Sequence, residues 1–236
     1  MALERTRTAH ELKLFASNSM RGPLEPLRPE FERASGCKLV VSFDPAQIML
    51  RRIAAGESAD VAILGKAAID TLAEQGKLDG ESRRTLARVG VGIAVRSGAP
   101  HPDIRSVDAL KRALLEAKSI AYTTEGASGM YFAGLIERLG IADQIKAKAH
   151  TVPGGLTAEL VASGHVELAV QQVPELLAVR GVDFVGPLPQ QVQNVSVVTA
   201  GIFAATKQRK AAESLLDFLI TPASSRVFRA KGLEPA

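Results

Sequence analysis

The chain has no tryptophan, two tyrosines and one cysteine among its 236 residues. With so few aromatic platforms on which bases could stack, a nucleic-acid partner is not expected. A single cysteine cannot close an internal disulfide. Cys37 stands just ahead of the run Leu39-Val40-Val41 and reads as a small core residue, not a nucleophile. The four histidines, His10, His101, His150 and His165, are scattered at no metal-ligand spacing, so no metal is expected. No Walker loop, Gly-x-Ser-x-Gly elbow or Rossmann fingerprint is present, and no cofactor is expected. No apolar run approaches the ~18 to 20 residues of a membrane span. The first ten residues are charged and lack the apolar core of a signal peptide. The expected location is periplasmic if a signal has been removed ahead of this sequence, and cytoplasmic otherwise.

Hydrophobic residues make up 46% of the chain and charged residues 23%, values of an ordinary globular protein. The net charge of +4 suits an anionic ligand drawn in at long range. The length allows one large domain or two small ones, and nothing in it demands more than a monomer.

Short apolar strands alternate with amphipathic helices. Residues 12–16, 37–43 and 60–64 read as strands, each followed by a helix that stops at Gly36, Gly56 or Gly76. Pro23, Pro26 and Pro29 predict an irregular first half for the first helix. Asp44-Pro45 predicts a helix start with Asp44 as the cap. Residues 88–96 read as one strand, and the turn-rich patch from Ser97 to Pro102 follows it. The alternation then restarts with strands at 119–122, 149–152, 168–170 and 182–185, a long β run at 192–203 and two terminal helices. This order predicts an α/β fold of two doubly wound lobes with parallel sheets. Residues 1–90 plus 196–236 are expected to form one lobe and 91–195 an inserted second one, with a ligand cleft between them.

Ligands of open parallel sheets bind beyond the carboxyl ends of the strands. The loops there read Ser17-Asn18-Ser19-Met20-Arg21, Asp44-Pro45-Ala46-Gln47, Thr123-Thr124-Glu125-Gly126-Ala127-Ser128-Gly129, Pro153-Gly154-Gly155 and Gln171-Gln172. Hydroxyls, amides and helix-start N–H groups of this kind bind anions. The candidate ligand residues are Asn18, Ser19, Arg21, Gln47, Thr124, Ser128, Gly129, Gln171 and Gln172. Strand alternation turns only one of Gln171 and Gln172 inward, with Gln172 preferred. Ser and Thr ahead of helices also serve as plain caps, so the argument rests on several such loops facing one another.

Leu14-Phe15-Ala16-Ser17-Asn18-Ser19, Phe31-Glu32-Arg33-Ala34-Ser35-Gly36, Val41-Ser42-Phe43, Arg52-Ile53-Ala54-Ala55-Gly56, Ala59-Asp60-Val61, Ser128-Gly129-Met130-Tyr131 and Pro222-Ala223 follow one another in the order seen in molybdate-type periplasmic solute-binding proteins. The chain resembles that family over nearly its whole length. The resemblance implies type II binding-protein lobes joined by crossing strands, a small anionic ligand held between them and, for an exported protein, a membrane ABC permease as partner. It places Ser19 on the family's first ligand serine and Ser128 in the loop whose backbone donates to the oxyanion. The family's second serine is replaced by Ala46 or Gln47, and its tyrosine by Gln172. With Asp44 beside the cage as well, an organic di- or tricarboxylate is expected in preference to molybdate. Some relatives resemble aconitate isomerase, an enzyme on a binding-protein scaffold. On that alternative Glu125 is the candidate proton-transfer base. A cytoplasmic ligand sensor is the third alternative.

Overall fold

The computed structural model describes residues 10–236; the charged segment Met1–Ala9 and the absence of a signal-peptide core noted for it lie outside the described residues. β1 (Glu11–Ala16) alternates its side chains between two buried faces, which sets the plan of the first lobe. Leu12, Leu14 and Ala16 join one core with α1 (Arg21–Ser35), while Phe15 joins another with α2 (Ala46–Ala54) and α3 (Lys66–Glu74). β1 pairs in parallel with β2 (Lys38–Phe43) and β3 (Val61–Gly65).

The chain then crosses lobes. β4 (Arg84–Val89) belongs to the first sheet and β5 (Val91–Arg96) to the second, with only Gly90 between them. The single strand expected over 88–96 is therefore two, broken where the chain changes sheet. The second lobe continues through α4 (Val107–Glu116), β6 (Ile120–Thr123), α5 (Ala127–Arg138), α6 (Ala142–Lys146), β7 (Ala149–Val152), α7 (Ala158–Ala162), β8 (Leu168–Gln172), α8 (Val173–Leu177) and β9 (Val182–Pro187). β10 (Ser196–Ile202) returns to the first sheet. α9 (Arg209–Leu219), α10 (Pro222–Ala230) and β11 (Glu234–Pro235) complete that lobe. Leu215, Leu216, Leu219 and Phe228 of the two last helices pack with Leu24, Leu27 and Phe31 of α1.

The sheet orders are β11-β4-β10-β3-β1-β2 and β7-β6-β8-β5-β9. Each is mixed and not purely parallel. β1–β3 and β6–β8 form parallel centres, as βαβ alternation requires, while the crossing strands β10 and β5 run antiparallel to their neighbours. A strand entering from the other lobe has no crossover helix to reverse it. Both sheets carry a hydrophobic core on each face, which makes the fold doubly wound.

α1 is continuous despite its prolines. Pro23 lies in the first turn, where the N–H has no intrahelical partner. Pro26 and Pro29 each give up one bond, and burial of Leu24, Leu27 and Phe31 holds the helix regardless. Asp44 is not a cap: α2 starts at Ala46 on Pro45, and the Asp44 carboxylate bonds Arg52 Nη1.

One side chain ties the two crossings. Gln193 Oε1 accepts from Val91 N at 2.8 Å, and its Nε2 donates to Val91 O at 2.9 Å and Leu188 O at 3.3 Å. Gln193→Ala takes this partner from Val91 N and Leu188 O, while Val91 O keeps the Leu188 N–H at 3.0 Å. The expected loss is about 1–3 kcal/mol, read as a lower urea midpoint at unchanged slope.

Candidate functional site

The carboxyl ends of both parallel centres open onto one cavity. From the first lobe it is lined by Ser17, Asn18, Ser19, Pro45, Ala46, Gly65, Ser196 and Val198, and from the second by Thr123, Gly126, Ala127, Gln171, Gln172 and Glu175. It encloses about 70 Å³, far below the several hundred Å³ of a drug-sized pocket and suited to a compact ligand. Among the described residues no group of three or more His, Cys, Asp or Glu side chains could hold a metal, and no helix is long and apolar enough to cross a membrane.

The walls supply donors. α2, α3 and α5 begin at the cavity on Pro45, Gly65 and Gly126, none with a side-chain cap, so their first-turn N–H groups remain open to a ligand. The Ser17 and Ser19 hydroxyls bond each other at 2.9 Å. Arg21 Nε donates to Asn18 Oδ1 at 3.0 Å, which assigns the acceptor end of the amide to Arg21 and leaves its NH2 end to donate elsewhere. Thr123 is 2% exposed, and its hydroxyl has no protein partner. A buried hydroxyl without a partner is costly, and a ligand in the cavity is what it can serve.

Gly126 and Gly129 make this wall possible. A Cβ on either would overlap Thr123, at its hydroxyl for Gly126 and at its backbone carbonyl for Gly129. The small residues let the α5 N-terminus descend onto the end of β6. The lips of the cleft also meet: a Cβ on Gly154 would lie 2.7 Å from Pro45, and Arg51 of α2 pairs with Glu125 across the gap.

The expected residues divide. Asn18, Ser19, Gln171 and Gln172 line the cavity. Both glutamines reach it because β8 turns into α8 directly after Gln172, which ends the alternation. Gln171 is occupied by the fold: its Oε1 accepts from Thr157 N and Oγ1, and its Nε2 donates to Gly155 O. Ser128 and Gly129 are buried in the first turn of α5 behind the lining. Arg21 stands outside, over the Phe43 ring, and acts through Asn18. Gln47 is exposed one position beyond the lining Ala46, and Thr124 is exposed while its neighbour Thr123 points in. Glu125 faces Arg51, not the cavity. Asp44, expected to repel an anion, is drawn off by Arg52.

The residue that sequence reasoning passed over is Glu175. It is 8% exposed and, among the described residues, is the only charged or titratable side chain in the lining. Its Oε2 accepts from Gln172 N at 3.3 Å. Burial pushes its carboxyl up to about 8, although the Gln172 N–H, Arg21 and Gln171 pull the other way. It is therefore mostly neutral near pH 7 and can donate to an anion. The signal was present: Gln172-Val173-Pro174-Glu175 places Glu at the third position of a helix that leaves a buried strand end.

Comparisons with known proteins agree with this architecture. Residues 12–234 match the family described as bacterial extracellular solute-binding protein. The chain is 33% identical over 230 residues to an aconitate isomerase of Pseudomonas sp, covering 95% of this chain and 87% of that protein. It is 27% identical over 238 residues to the molybdate-binding protein ModA of Azotobacter vinelandii, covering 95% and 90%. The solved periplasmic molybdate-binding protein of Azotobacter vinelandii superposes with a TM-score of 0.79 at 20% identity, covering 94% of this chain and 98% of that one.

Proposed function

The chain belongs to the bacterial extracellular solute-binding protein family, and from that premise we propose that it captures a small unsaturated polycarboxylate between its lobes and isomerises it. The observation that carries this reading is a cavity of neutral donors from both lobes whose one titratable lining group is a buried carboxyl. Uncapped helix starts, Asn18 and the Thr123 hydroxyl suit carboxylate oxygens. A carrier needs nothing more than these. An enzyme that shifts a double bond also needs a group that moves a proton between carbons, and a buried carboxyl in the cavity suits that task. The 33% identity to an aconitate isomerase supports the same substrate class.

The test is calorimetric titration with cis- and trans-aconitate, citrate, molybdate and sulfate, followed by proton NMR of the aconitate samples. Saturating aconitate is expected to stabilise the fold by about 2.7 kcal/mol at ~100 times its dissociation constant, and the two isomers are expected to interconvert. Tight binding of an anion with no interconversion would instead identify a carrier, and delivery to a membrane ABC permease from a periplasmic location would be the function to pursue.

A further inference from the structure

We propose that Glu175 is the catalytic residue that takes a proton from one carbon of the bound unsaturated polycarboxylate and returns it to another. The assignment rests on the isomerase reading and goes beyond it by naming the group.

Three observations carry it. The remaining lining side chains are hydroxyls, amides and small or apolar groups, none of which accepts a proton from carbon near neutral pH. Glu125 and Asp44, the other acids of these loops, are held in ion pairs with Arg51 and Arg52 and do not line the cavity. The Glu175 carboxyl is also fixed in place. Gln172 N anchors one oxygen, and α8, which carries it, packs against the first lobe, where Pro174 and Ala178 approach Gly22 and where Val173 and Leu177 approach Gly232. A base on so short a helix, wedged between the lobes, keeps its position relative to donors from both.

The step balances without a cofactor. The ionised carboxyl removes a proton from the methylene carbon next to the double bond. The C–H electron pair moves into the adjacent bond, and the former π pair shifts to the far carbon. The protonated carboxyl then delivers its proton there, and Glu175 is regenerated as a carboxylate. Negative charge that builds on the substrate carboxylates during the shift meets the open N–H groups of α2, α3 and α5. Burial, which holds the carboxyl near 8, leaves only a minor ionised fraction near pH 7, and that fraction, which grows as pH rises toward 8, is a stronger base than an exposed glutamate.

The experiment compares the unaltered protein, Glu175→Gln and Glu175→Asp with trans-aconitate, reading binding by calorimetry and turnover by NMR across pH. Glu175→Gln keeps the shape and the acceptor for Gln172 N. It is expected to bind within a few-fold of the parent while turnover falls about 10³-fold. Glu175→Asp is expected to restore part of the rate, and its pH profile to move with the new carboxyl. Turnover by Glu175→Gln within tenfold of the parent overturns the assignment. So does a loss of binding that accounts for the whole loss of turnover. If the unaltered protein binds trans-aconitate but never converts it, the isomerase reading itself falls, and the assignment with it; that result is separate from either variant outcome.

Discussion

Raising the pH from about 5 to about 9 lowers the stability of the ligand-free protein by about 3–5 kcal/mol through Glu175 alone, and Glu175→Gln removes that part of the slope. In the unfolded chain the carboxyl titrates near its ordinary value of 4.5, and in the folded protein it titrates near 8. Between those values the folded state binds more protons than the unfolded one. Stability therefore falls as pH rises through this window, and above it the full cost of a buried carboxylate is present. The groups whose carboxyls are held low act with the opposite sign and at lower pH. Asp103, held at about 2 by Arg105, is one, and Asp70 and Asp79, lowered by Lys66 and Arg209, are others. They lose their contribution only as pH falls toward their own lowered values, so the two effects separate along the pH axis. Urea melts of the parent and Glu175→Gln at about pH 5, 7 and 9 read the difference. Parallel curves would mean that water or a rearrangement relieves the buried charge. An anion in the cavity steepens the effect, because an ionised Glu175 repels it, so affinity is expected to fall through the same range.

Much of this architecture is legible from local pattern, because it is built from it. β1, β2 and β3 are apolar runs ended by polar loops, and Gly36 and Gly76 stop their helices in left-handed backbone at φ of 71° and 67°. What the pattern misses depends on distant partners. Whether Asp44 caps α2 or serves Arg52 is settled by where Phe15 and Ser42 place the guanidinium. The prolines of α1 break a helix by propensity, yet a core assembled from α9 and α10 outweighs them. The break at Gly90 follows from sheet membership, which no stretch of nine residues reveals.

The site divides in the same way. Asn18, Ser19, Gln171 and Gln172 stand in loops at strand ends and line the cavity, since the fold class alone places those ends together. The neighbours Thr123 and Thr124 differ only in which way one strand residue faces. Glu175 looks like an ordinary helix-start carboxylate until β8 and α8 are seen to bury it. Its chemistry is a property of burial, and burial is not local.

Gly129→Ala should be among the most damaging single-methyl changes in the protein. In most helices the substitution stabilises, since alanine restricts the unfolded chain and favours the helix. At Gly129 the added Cβ would sit 2.6 Å from the Thr123 carbonyl carbon and closer still to its oxygen. The obstacle is backbone at the end of β6, which cannot swing aside as a side chain can. α5 must therefore back away from the sheet, at a cost of about 3 kcal/mol, the upper part of the usual range for overpacking. In a domain of this size that lowers the melting temperature by roughly 6–12 °C. The same displacement carries the open N–H groups of the first turn away from the cavity and disturbs Thr123, so anion affinity is expected to drop about tenfold or more. Gly134→Ala supplies the control within the same helix. Its Cβ would meet nothing nearer than the mobile end of Arg138 at 3.4 Å, and it is expected to stabilise the protein by about 0.5–1 kcal/mol. Paired melts of the two variants thus give opposite signs for one chemical change. Equal effects at both positions would show that α5 does not rest on Thr123 as described, and the glycines of Gly126-Ala127-Ser128-Gly129 would then need another explanation.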